Sequence, residues 1–115
     1  MSKPVFVPLA TEPFANFAMG AKTVEIRNLD SPVARQVIKD TSHGRPVNLS
    51  HGYGTKNRLA GQLGRVEAVA SAGHFSEWVR AGAALDFTTD SPFFNGSGQL
   101  LAFEVLPRFN LEVEG

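Results

Sequence analysis

Apolar and polar residues alternate in two rhythms along this chain. Val5-Phe6-Val7-Pro8-Leu9 is a short β run, and Pro8 marks it as an edge strand or a strand end. Thr11 is placed as an N-cap with Pro13 in the first turn. Phe14, Phe17 and Ala18 follow at helical spacing, and Gly20 stands where a helix of this length ends. Thr23 to Arg27 then alternates, with Val24 and Ile26 on one face and Thr23, Glu25 and Arg27 on the other. Ser31-Pro32 opens a second helix, with Val33, Val37 and Ile38 on its apolar side and Lys39 near its end.

The second half reads as mostly β. Gly44-Arg45-Pro46 is a turn, and Val47 and Leu49 mark a short strand. A polar, glycine-bearing loop runs from Gly52 to Arg58. Leu59 to Ser71 reads as a long strand, bent or bulged at Gly61 and Gly64. His74 to Gly82 has helical spacing, with Phe75, Trp78, Val79 and Gly82 on one side. Asp86 to Gln99 is a loop that nevertheless holds Phe87, Phe93 and Phe94, whose simplest role is packing beneath it. Leu100 to Val105 is a strand, and Arg108 to Val113 alternates again. Short strands interrupted by helices predict an α+β fold: a small curved barrel of five to six strands with two or three flanking helices.

Composition narrows this picture. The 115 residues fit one domain, 1–115, with enough chain to bury a core without staples. There is no cysteine, which excludes disulfides and thiolate metal sites. No apolar run approaches the roughly 20 residues of a membrane span. The N-terminal Met1-Ser2-Lys3-Pro4-Val5 lacks the apolar core of a signal peptide. The expectation is a cytoplasmic protein without a membrane partner. Net charge is zero, but residues 1–66 hold nine Lys/Arg against four Asp/Glu, and the remainder holds two against seven. No acid occurs between Thr41 and Val66, where Arg45, Lys56, Arg58 and Arg65 lie. One surface that attracts anions would account for this, as would two halves that interleave and neutralise each other.

The candidate chemistry centres on Gly20-Ala21-Lys22-Thr23-Val24-Glu25-Ile26-Arg27, of pattern G-x-K-x-x-E-x-R. An arginine donates in a planar fork suited to phosphate or carboxylate, a lysine is a point charge, and a glutamate can orient either. Strict alternation puts Glu25 and Arg27 together but sends Lys22 to the other face, so Lys22 joins them only from the turn after Gly20 or through a bulge. The plainer reading of the spacing alone is an exposed Glu–Arg pair of little energetic worth.

This octapeptide resembles the signature of the ASCH family, and the preceding strand and short helix match the context of that signature. The resemblance implies a small β-barrel similar to PUA domains. It also implies a polar cleft that binds RNA, single-stranded nucleic acid or a modified nucleoside. Lys22, Glu25 and Arg27 would line the cleft, with Arg45, Tyr53, Lys56 and Arg58 extending it. One branch of that family is an amidohydrolase of N4-acetylcytidine. Carried over, its catalytic lysine is Lys22, and its distant glutamate would be Glu67 or Glu77. The branch has a threonine where this chain has Glu25, which changes the chemistry available. An enzyme of this kind, or a ribonuclease, using Lys22, Glu25 and Glu77 is therefore the alternative to a binding module.

Other constellations carry less. The loop from His51 to Arg58 offers Tyr53 for base stacking and Lys56 and Arg58 for phosphate, but it lacks the P-loop pattern. His43, His51 and His74 have no metal-ligand spacing, and there is no G-x-S-x-G elbow. No metal or cofactor is expected. Trp78 reads as core, and Glu77 falls off its apolar stripe.

Overall fold

The computed structural model describes residues 3–52, 57–69, 77–78 and 100–107. Among them five strands and two helices follow in the order β1 (Val5–Leu9), α1 (Thr11–Ala18), β2 (Val24–Asn28), α2 (Pro32–Lys39), β3 (Pro46–His51), β4 (Arg58–Val69) and β5 (Leu100–Pro107). The strands form one sheet, ordered β1-β3-β4-β5-β2, that curls into a half-barrel. The β1–β3 pair is parallel and the other pairs are antiparallel. This is the expected α+β architecture. The predicted segments 86–99 and 108–113 lie outside the described residues. So does most of the predicted helix 74–82, of which only Glu77 and Trp78 are described, both helical.

Alternation along the strands sorts the apolar residues onto two faces. Val5, Val7, Val47, Leu49, Leu63, Leu101, Phe103 and Val105 fill the concave side, closed by Val33, Ala34 and Val37 of α2. Val24, Ile26, Val69, Leu100 and Ala102 form a second cluster on the convex side, covered by Trp78. Ile38, expected on the buried stripe of α2, is instead 49% exposed. Ala34 takes the inner position because Val33, Val37 and Ala34 share one face at i, i+4 and i+1, with Ile38 at its solvent edge.

The helix ends follow local chemistry. The Ser31 hydroxyl accepts from Ala34 N at 3.2 Å, and Pro32 follows it at the first helical position. At α1 the N-cap is Ala10, with no side-chain cap, rather than Thr11. The Thr11 hydroxyl instead meets His51 Nε2 at 3.0 Å, a tertiary contact competing for the same oxygen. Gly20 closes α1 at φ +79°, a conformation that side chains with a Cβ disfavour.

The two glycines of β4 differ in role. The ladder slips between Leu63 and Val66, so the predicted bulge lies at Gly64, where a Cβ would come within 2.6 Å of Glu104 Oε1. At Gly61 pairing is regular, and the glycine admits Val105 Cγ1, which would lie 2.7 Å from a Cβ.

The outer border of β1 is occupied. Gly52 N donates to Leu9 O beside β3, so Val5, Val7 and Leu9 point their backbone groups at β3, while those of Pro4, Phe6 and Pro8 point outward. The two prolines have no N–H. Gln36 of α2 accepts from Phe6 N at 3.0 Å and donates to Phe6 O at 3.2 Å, reproducing the contacts of a neighbouring strand. Arg27 donates to Pro8 O at 2.7 Å.

Candidate functional site

The chain between α1 and β2 carries the signature residues. Gly20 turns the chain, and Asn16 O accepts from both Ala21 N and Lys22 N, which fixes Lys22 in the turn before the strand. Val105 N donates to Thr23 O, so the Thr23, Glu25 and Arg27 backbones face β5. Glu25 pairs with Phe103 and Arg27 with Leu101, which directs both side chains to the concave side shared with those residues.

The three charged groups converge there. Lys22 Nζ lies 3.3 Å from Glu25 Oε1, and Arg27 Nε lies 2.5 Å from Glu25 Oε2. One carboxylate thus holds an ammonium on one oxygen and a guanidinium on the other. The side chains of Lys22 and Glu25 are 3% and 7% exposed, and that of Arg27 is 25% exposed. Arg27 also reaches Pro8 O on β1 at 2.7 Å. β1 and β2 are the two borders of the sheet, so this guanidinium spans the gap that leaves the barrel half closed. The trio has one more cation than anion, and the Lys22 ammonium lies 5.6 Å from the Phe17 ring.

A cavity of about 660 Å³ opens beside Lys22, between the end of α1 and the inner face of β3, β4 and β5. Phe17, Leu49, Leu59 and Val105 are among its walls, with Lys22 and Thr23 at one end. Its lining is mainly apolar, where the sequence predicted a polar cleft. The volume falls within the roughly 300–1,000 Å³ of small-molecule sites.

The other predicted site residues are distributed differently. Arg45 is buried. Its guanidinium donates to Lys3 O at 3.0 Å, Gln36 O at 2.6 Å and Asp40 O at 2.8 Å. Lys3 lies two residues ahead of β1 and Pro8 near its far end, so Arg45 and the trio are separated by roughly 15 Å of extended chain. Arg45 pins the start of β1 to the end of α2 and is not gathered with Lys22. Substituting Arg45 by Met is expected to cost about 1.5–3 kcal/mol, because it removes three charge-assisted bonds made by a buried guanidinium to part-buried carbonyls. Chemical denaturation measures this loss.

Arg58 begins β4 and touches the cavity, but its guanidinium lies 5.2 Å from the Phe6 ring. Phe6 alternates with the inward-pointing Val5 and Val7, so this cation sits on the convex side, away from the trio. Tyr53 and Lys56 lie outside the described residues. Glu77 is exposed and adjoins Trp78 of the convex cluster, across the sheet from Lys22. Glu67 accepts from Trp78 Nε1 at 2.9 Å, and the Arg65 guanidinium lies 4.1 Å from the Trp78 ring. Glu67 and Arg65 thus meet on Trp78, on the side of the sheet opposite Glu25. His51 stacks on Phe14 at 5.5 Å as well as meeting Thr11.

Sequence reasoning missed the cavity walls and the bridging of two strands by Arg27. The signal available was that Phe14 and Phe17 were the only large apolar residues in the helix immediately preceding the signature. Compared with known protein families, curated proteins and solved structures, the chain matches none at a significant level.

Proposed function

We propose that this protein is a binding module of the ASCH, PUA-like type that recognises RNA, single-stranded nucleic acid or a modified nucleoside. The observation that carries this reading is the meeting of Lys22 and Arg27 on the two oxygens of Glu25, beside a cavity large enough for a small molecule. Glu25 preorganises both cations, so little side-chain entropy remains to be lost when an anionic or carbonyl-bearing ligand arrives. Lys22 serves as a point charge toward phosphate or a base oxygen, and the fork of Arg27 supplies directed donors. Tyr53 and Lys56 would supply further contacts to the ligand, whereas Arg58, held against Phe6 on the convex side, does not.

The test is anisotropy of labelled single-stranded RNA across a salt series. Affinity is expected to fall as salt rises, and Lys22→Ala is expected to reduce the log–log slope by about one. Salt-independent binding, or binding unchanged in Lys22→Ala, overturns the reading.

A second reading rests on the 3.3 Å separation of Lys22 Nζ and Glu25 Oε1 inside the fold, close to the range for proton transfer. It is hydrolysis of an amide such as N4-acetylcytidine, or of RNA. Release of cytidine that vanishes in both Lys22→Ala and Glu25→Ala supports the amidohydrolase. No release removes it, and RNA cleavage that survives both substitutions removes the ribonuclease.

A further inference from the structure

The two ends of α1 are held differently. At its start, the Thr11 hydroxyl meets His51 Nε2 at 3.0 Å, and the Phe14 ring stacks on His51 at 5.5 Å. Both contacts fall on the last residue of β3, which pairs with Leu9 at the end of β1. At the other end, Phe17, Ala18, Met19 and Gly20 line the cavity, and Met19 is 71% exposed. No residue of α1 is buried, whereas α2, of the same length, buries Val33, Ala34 and Val37. A segment that buries little opens at lower free energy than the core. Gly20 follows at φ +79° with open space where a Cβ would stand, so the chain has room to bend behind Met19. Across the cavity, Leu59 of β4 pairs with Leu49, shares its inward direction and is only partly buried. Met19 and Leu59 thus leave apolar surface in water on facing walls of one cavity.

From these positions we infer that the last turn of α1 is a lid, pivoting on His51 and closing toward Leu59 when a ligand fills the space between them. Closure over an empty cavity encloses a void, and the atoms that line a void lack contacts on one side. Closure over an occupant removes Met19 and Leu59 from water together, so the ligand shifts the lid toward its closed position. The motion reaches the ion trio. Asn16 O, in the same helix, accepts from Ala21 N at 2.9 Å and from Lys22 N at 3.1 Å. Lys22 therefore travels with the lid, while Glu25 stays on β2. As a control on the site proposed above, the lid rests on the nucleic-acid reading, but its opening needs no ligand and is measured without one.

Native-state hydrogen exchange and cysteine trapping on the full chain test this. In the free protein the amides of Ala18 and Met19, at the end of α1, are expected to exchange about tenfold faster than those of Val37 and Ile38, at the end of α2. His51→Ala is expected to speed the α1 amides further and leave the α2 amides unchanged. Single-stranded RNA is expected to slow the α1 amides about tenfold, again without effect on α2. The chain has no cysteine, so an introduced pair reports on the lid without background. Met19→Cys/Leu59→Cys is expected to form its disulfide about tenfold faster than the control Met19→Cys/Ile38→Cys, because only closure of the lid brings two sulfurs into bonding range. Ile38 is an exposed residue of α2, the helix that Arg45 ties to the opposite end of β1. Exchange at the end of α1 no faster than at the end of α2 overturns the inference, and so does trapping no faster than in the control. RNA that binds without slowing the α1 amides overturns the lid and leaves the nucleic-acid reading standing. Fast α1 exchange and fast trapping without any RNA binding support the lid and remove that reading.

Discussion

Replacing Glu25 by alanine is expected to destabilise the protein by about 3–5 kcal/mol, because it strips a buried ion pair of the member that both cations share. Lys22 is 3% exposed and remains beside Arg27 with no carboxylate between them. Each cation loses its nearest compensating charge in a site from which water is largely excluded. Urea unfolding measures the loss as a lower midpoint at an unchanged slope. The double variant Lys22→Met/Glu25→Leu separates stability from function. Exchanging a buried charge pair for apolar groups of similar size is often neutral or stabilising. The double variant is therefore expected to recover the part of the loss that Lys22 causes, leaving the smaller part due to Arg27, which is 25% exposed and still bonded to Pro8 O. It is also expected to lose the salt-dependent RNA affinity proposed for the trio. No recovery at all would show that the unpaired Lys22 is not the source of the loss.

Phe103→Ala is expected to cost a comparable amount, about 3–5 kcal/mol, through lost transfer energy and the cavity left behind. Phe103 is fully buried on β5, opposite Glu25 on one side and Val66 on the other. It stands just past the β4 bulge. Phe103→Leu retains most of the volume and is expected to cost about 1.5 kcal/mol or less. Thermal melting of the two variants together checks that the loss follows volume rather than aromaticity.

The strands were legible in the sequence because alternation is a local property. The repeating valines of β1 and the Val24–Ile26 pair identify their strands without reference to anything distant. The turn that delivers Lys22 was also legible, since Gly20 both ends α1 and resets the register ahead of β2. Burial of Glu25 was not. Period two separates the faces of a strand but does not say that a curled sheet encloses both of them. Arg45 illustrates the same limit. Its partners are carbonyls of Lys3, Gln36 and Asp40, and every residue has a carbonyl, so no side chain announces that the site exists. A cation in an acid-free stretch looks solvent-facing until the fold shows what it ties together. The apolar cavity was hidden for a similar reason. It arises between the end of α1 and strands that come much later in the chain.

The sealed flank of β1 bears on how this molecule behaves in a crowd. A foreign extended segment approaching there meets proline rings and an amide already engaged by Gln36, so it finds no donor with which to begin zippering. Fibril seeding by lateral accretion is blocked on that side without any layer of repelling charge. The safeguard depends on the carboxamide of Gln36, and therefore on α2 staying docked. Partial melting of that one helix would turn a self-contained sheet into a sticky one well before the core itself came apart.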